Sequence, residues 1–141
     1  MRSTEYQIFI SFKNTDRNGN ETEDAKLARQ LYAELTEKGF NVFLSSRSLE
    51  DQGVSDYKGE IDRALDQAQI LVLIGTNPDY IRSKWVRYEW DSFYNEILSG
   101  LKPEGRLFAY LKNCSIQELP RPIRQSQVFF DGEQKFKDLI R

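Results

Sequence analysis

The 141-residue chain has no histidine, which removes Ser-His-Asp and Cys-His activation of a nucleophile and nearly all catalytic zinc arrangements. Any general base is therefore a carboxylate, a lysine or a tyrosine. Cysteine occurs once, as Cys114, so no internal disulfide framework can form, and this suits a reducing cytoplasm. No apolar run approaches the ~20 residues needed to cross a bilayer, and Met1 to Phe12 lacks the long apolar core of a signal peptide. A cytoplasmic chain with no membrane partner is the expectation. Charge is nearly balanced, 20 basic against 22 acidic residues for a net −2. No basic stripe is interleaved with aromatics, which argues against a nucleic-acid partner. The G-x-G-x-x-G and P-loop patterns that cradle phosphates are missing, as are C-x-x-C and H-E-x-x-H.

What is present is organised around Gly53 to Thr76. Ile70 to Gly75 is apolar at every position with no alternation, the pattern of a strand whose sheet is covered on both faces. A central strand is expected there. Before it, Tyr57, Ile61, Ala64, Leu65 and Ala68 recur at helical spacing, and Ser55 stands where it can cap the first turn. Glu60 falls on the shoulder of that apolar stripe, near the helix start and one turn before Ala64.

The rest of the chain alternates in the same way. Tyr6 to Phe12 suits a strand, and Lys13 to Asn20 is polar and turn-rich. Thr22 followed by Glu23 and Asp24 marks a helix start with acid in its first turn. Leu27, Ala28, Leu31 and Leu35 form that helix's apolar face, and Gly39 stops it. Asn41 to Ser45 completes a strand-helix-strand unit of the parallel-sheet type. Ser46 to Val54 is a polar loop at the carboxyl end of that strand, where open α/β sheets place ligands. Asn77-Pro78 reads as a break. Lys84 to Leu98 reads as a helix with Trp90, Phe93, Tyr94 and Ile97 on one stripe, a pattern that usually means packing. Leu107 to Leu111 is a fourth strand and Gln127 to Phe130 a short fifth at an edge. Glu133 to Ile140 reads as a last helix, and Pro120 and Pro122 confine Asn113 to Gln125 to a loop. No repeat or linker divides the chain, so one domain over 1–141 is expected. Phe136 to Arg141 closes it without a polar tail, the outline of a domain cut from a longer protein.

A response-regulator receiver shares this alternation but needs acids at the end of its first strand to hold magnesium, where this chain has Ile10-Ser11-Phe12-Lys13. The pieces together resemble a TIR (Toll/interleukin-1 receptor) domain over nearly the whole chain. Tyr6 to Phe12 is similar to the family's opening strand, which ends in serine and an aromatic. Gly39-Phe40-Asn41-Val42-Phe43 is similar to its junction into the second strand. Glu60-Ile61-Asp62-Arg63-Ala64-Leu65 with Ile70 to Gly75 resembles its second helix and third strand, and Ser83, Trp85 and Glu89 fit its S-x-W-x-x-x-E box. The fold this implies is α/β, a flavodoxin-like three-layer sandwich with a central five-stranded parallel sheet.

Some members of the family only self-associate, and others cleave the nicotinamide-ribose bond of NAD with a glutamate at the start of the second helix. The resemblance to the bacterial NAD-cleaving type implies an NAD nucleosidase yielding nicotinamide and a linear or cyclic ADP-ribose, a toxic or signalling output in antiviral defence. The alternative it leaves open is a non-catalytic module acting by homotypic association with other TIR domains. NAD is then a substrate, with no cofactor and no metal. Glu60 is the implied catalytic carboxylate, because the run from Glu60 to Ala68 follows the E-L-x-x-A-I-x-x-S pattern of plant members. Bacterial and animal members carry the glutamate one or two positions earlier, at Gly59 or Lys58 here, and Asp56 is the other acid on that turn. As residues alone, Glu60 reads as a solvated acid favoured by the helix dipole. A partly desolvated carboxylate there would also stabilise the oxocarbenium character that develops when an N-glycosidic bond breaks.

Phe12 and Lys13 resemble the family's aromatic-basic pair that lines the nucleotide pocket, where a ring stacks on a base and a cation meets phosphate; as a residue alone, Phe12 reads equally as core. Ser45, Ser46 and Arg47 open the BB loop, which in this family gates the pocket and contacts a neighbouring subunit, although such loop residues are more often simply solvated. Trp85 is implied at the pocket through its box. Glu89, one turn on, reads as an anchor of its helix against the sheet.

Overall fold

The computed structural model describes residues 5–14, 16, 18–44, 54–112, 115–124 and 127–130. The strands are β1 (Ile8–Ser11), β2 (Val42–Leu44), β3 (Ile70–Gly75), β4 (Arg106–Leu111) and β5 (Gln127–Phe130). The helices are α1 (Glu23–Glu37), α2 (Val54–Gln67), α3 (Pro78–Ile81), α4 (Lys84–Leu98) and α5 (Arg121–Arg124). The five strands form one sheet in the order β2-β1-β3-β4-β5, and every neighbouring pair is parallel. β3 is central and β5 lies at an edge, as the unbroken apolar run of the one and the shortness of the other lead one to expect.

Alternation along each strand divides the apolar residues between two cores. Phe9, Phe43, Leu71, Leu73, Leu107 and Ala109 face α2 and α4, whose Ile61, Ala64, Leu65, Trp90 and Phe93 close that side. Ile8, Ile10, Val42, Val72, Ile74 and Tyr110 face the other way, toward Ala28, Leu31 and Leu35 of α1. Helices on both faces of a parallel sheet make the three-layer α/β sandwich, with the strand order of the flavodoxin-like class.

Local chemistry sets the ends of the elements. Thr22 caps α1, its hydroxyl accepting from the Ala25 N–H at 3.1 Å. Gly39 takes φ +96°, and the Phe40 N–H returns to the Leu35 carbonyl at 3.2 Å to close the helix. α2 ends on a buried lysine: Lys102 Nζ donates to the carbonyls of Asp66 and Ala68, both at 2.8 Å, satisfying oxygens that the helix terminus leaves over.

Three expectations are corrected. Asn77-Pro78 does not break the chain but starts α3, with Asn77 accepting from the Asp79 N–H at 2.9 Å and proline in the first turn, where its missing N–H costs nothing. Residues 113–125 are not all loop, since a 3-10 turn spans Ile116–Glu118 and α5 holds Pro122 near its start. α2 begins at Val54, so Ser55 lies inside the first turn instead of capping it, and Glu60 is in the second turn. The expected last helix, 133–140, lies outside the described residues.

Candidate functional site at the carboxyl end of the sheet

In the order β2-β1-β3-β4-β5 the chain runs outward from β1 to β2 and then returns past it to β3, so connections leave β1 and β3 in opposite directions. The carboxyl ends of these two strands therefore bound a crevice, the place where open α/β sheets bind ligands. Ser11 to Lys13 form one wall and Gly75 to Asn77 the other.

Ser11 ends β1 and is fully buried. Its Oγ donates to Glu89 Oε1 at 2.6 Å, and Glu89, on α4, is fully buried too. The bond is short and ties the end of β1 to the layer of α2 and α4. Phe12 comes next and is only 2 % exposed, its side chain in the core under α1, on the opposite face from α2. Lys13 is half-buried, and its main-chain carbonyl accepts from the Thr22 hydroxyl, which binds the strand end to the start of α1.

The second wall is held by a residue that sequence reading treated as an ordinary first-turn acid. Asp24 is fully buried, and its Oδ1 accepts both from the Thr76 N–H, at 2.8 Å, and from the Thr76 hydroxyl. Its Oδ2 is buried with no hydrogen-bond partner. Loss of solvent pushes the Asp24 carboxyl up to about 7; the two hydrogen bonds from Thr76 work the other way, and neighbouring Glu23 adds to the rise. Beside it, Glu23 pairs with Lys112 just past the end of β4. The signal was in the spacing: Asp24, Ala28, Leu31 and Leu35 follow one another at four, three and four residues, so Asp24 belongs to the buried stripe of α1.

Of the other residues singled out from sequence, Glu60 lies on α2, the helix that runs into β3, and Trp85 is the second residue of α4; their side chains lie outside what the structure describes. Ser45, Ser46 and Arg47 lie outside the described residues altogether. Of the residues expected at the pocket, the structure thus leaves Lys13 at the end of β1, near the Asp24–Thr76 contact, whereas Phe12 is a core residue and its expected place in the pocket is corrected. Among the described residues, no helix is long and apolar enough to cross a membrane, and no three acidic or cysteine side chains gather as a metal site.

Comparison with known proteins agrees with this architecture. No curated protein matches the chain. Among solved structures it is similar to the TIR domains of the activated Roq1 resistosome, which directly recognises the pathogen effector XopQ. The match has 21 % identity and a TM-score of 0.57, and covers 80 % of this chain and 61 % of that one. At that identity the likeness speaks for the fold, and this chain spans under two thirds of its neighbour's length. The model of the TIR domain family matches residues 8–140, all five strands included, and the chain belongs to that family.

Proposed function

We propose that this TIR domain cleaves the nicotinamide-ribose bond of NAD, releasing nicotinamide and a linear or cyclic ADP-ribose, as an effector in bacterial antiviral defence. The observation that carries the reading is the position of Glu60 on α2, the helix leading into the central strand, where catalytic members of the family hold their glutamate. A carboxylate beside the ribose stabilises positive charge developing at the anomeric carbon as the cationic nicotinamide ring leaves with the bonding electrons. Chemistry of this kind needs neither histidine nor metal, which suits a chain with no histidine. Lys13, at the end of β1, is the cation in this reading that meets the pyrophosphate. The identity of the nucleophile that reaches the anomeric carbon, water or a group of the substrate itself, decides between linear and cyclic product.

Association with further TIR domains belongs to the same reading. An open crevice at the carboxyl end of a sheet has few residues of its own to enclose a dinucleotide, and a second subunit can complete it. The test is to incubate the purified chain with NAD, with and without a crowding agent and over a range of protein concentration, and to measure nicotinamide. Release that rises in specific rate with concentration is expected. A folded, assembled sample that releases none would leave a module that acts by homotypic association alone.

A further inference from the structure

The Asp24–Thr76 pair has no part in the chemistry just described, yet it is a part-buried polar contact, with Asp24 its buried member, that joins the start of α1 to the end of β3. Burial of a carboxyl group carries a cost that an asparagine, equally able to accept from Thr76, would largely avoid. One of its oxygens has no hydrogen-bond partner at all. We propose that Asp24 is a positioning residue, that its clasp on Thr76 sets the spacing of the β1–β3 crevice, and that loss of its proton loosens the clasp and weakens substrate binding. The role in binding rests on the NAD reading above; the clasp itself does not.

The geometry gives the direction. With its proton, Asp24 is neutral, and Oδ1 can hold both donors of Thr76 with the carboxyl buried. Without it, both bonds from Thr76 strengthen, but the charge shared by Oδ2 is buried and unsolvated, the larger effect, and the relief open to it is entry of water between α1 and β3. That movement reaches the substrate side directly, because the start of α1 is bonded through Thr22 to Lys13. Among the described residues, the charged groups around the carboxyl are few. Glu23 on the same turn opposes ionisation, Lys112 from the end of β4 is paired with Glu23, and Lys13 stands at the end of β1. Burial holds the carboxyl near 7, so the proposed change falls within the range in which enzymes are ordinarily assayed.

Two measurements test this. In NAD-free protein, the Asp24 carboxyl carbon and the Thr76 amide are followed by NMR from acid to alkaline pH. Both are expected to move with one midpoint near neutrality, and the Thr76 transition is expected to vanish in Asp24→Asn. A Thr76 amide that ignores the titration of Asp24, or keeps its transition in Asp24→Asn, overturns the clasp. If Asp24→Asn does not fold, Thr76→Val serves instead: it deletes the hydroxyl donor that favours the ionised form, so the Asp24 midpoint must rise, and an unchanged midpoint overturns the proposal. With NAD, KM is expected to rise several-fold between about pH 6 and about pH 8.5 in the parent while kcat stays within about twofold, and Asp24→Asn should hold the lower KM throughout. Parallel KM profiles in parent and variant would overturn the role in binding. A chain that cleaves no NAD at any pH would fail the functional reading, and the NAD-free titration would then decide the clasp alone.

Discussion

Ser11 and Glu89 are 78 residues apart in sequence and share a buried hydrogen bond of 2.6 Å, from the last residue of β1 to the middle of α4. It fixes the strand end from which Phe12 and Lys13 continue, so the wall of the crevice is only as rigid as this contact. Removing one partner of a buried hydrogen bond costs roughly 1–3 kcal/mol. Ser11→Ala should lose about that much on urea unfolding. Glu89→Gln keeps an acceptor of the same shape and should lose less, and with Ser11 already alanine it should cost less again. Equal and additive losses would mean that the two side chains do not act as a pair.

Packing at the end of β3 is tight enough to make a single methyl group felt. A Cβ built on Gly75 would lie 2.7 Å from Ile81 Cδ1, 2.8 Å from Ile81 Cγ1 and 3.3 Å from Leu111 Cδ2. Ile81 is fully buried in α3 and its carbonyl accepts from Trp90 Nε1 at 2.9 Å, so it has little room to yield. Gly75→Ala should therefore cost about 1–3 kcal/mol through overpacking. Ile81→Ala alone should cost about 2–5 kcal/mol through the cavity it leaves. The double variant should be more stable than the sum of the two by upwards of ~1 kcal/mol, since the new methyl enters the new space. Thermal melts of the three variants decide it, and strict additivity would show that the two sites do not share that space.

Much of this architecture was legible because one physical signal governed each element. α4 runs over the residues its aromatic stripe marks, and α1 starts on its Thr22 cap. Misreadings arose where one residue type serves two conformations. Proline after asparagine ends a helix or opens one, and at Pro78 it opens α3. Phe12 could be read as pocket or core, and its ring is in the core. Asp24 was read by its chemistry, as an acid welcome at a helix N-terminus, whereas its position on the apolar stripe decides its burial. Neither Ser11 nor Thr76 could be recognised as partners of Glu89 and Asp24, because pairings across 78 and 52 residues are made by the sheet and not by local sequence.

Asp24 makes stability depend on pH with a definite sign. Its folded value, about 7, lies above the ordinary 3.8, so between those limits the folded state binds the proton more tightly than the unfolded chain. The contribution of Asp24 to stability is therefore greatest below about pH 4, falls as pH rises toward 7 and levels off beyond, by at most ~4 kcal/mol for a shift of about three units. Asp24→Asn removes the titrating group, and its unfolding free energy should lose this part of the slope. Urea midpoints of parent and variant at several pH values check it, and parallel curves would show that Asp24 is not the group responsible.

Glu60 and Asp56 offer the sharpest test of how the catalytic carboxylate is placed. They are four residues apart on α2, hence neighbours on one side of the helix, one turn apart. Replacing glutamate by glutamine keeps shape and hydrogen bonding but removes the charge that would oppose the developing oxocarbenium ion. Glu60→Gln should leave the melting temperature nearly unchanged and slow nicotinamide release on the order of a hundredfold or more. Asp56→Asn, one turn nearer the helix start, should alter the rate only a few-fold, because its charge would act from a position one turn removed from that of Glu60. Assays belong at a protein concentration where the parent's specific activity has levelled off, so that a weakened assembly is not mistaken for a lost charge. If Glu60→Gln keeps its activity while Asp56→Asn abolishes it, the catalytic carboxylate is Asp56, one turn nearer the helix start. If both variants cleave NAD as the parent does, the carboxylate chemistry is wrong for this chain even though the fold is right.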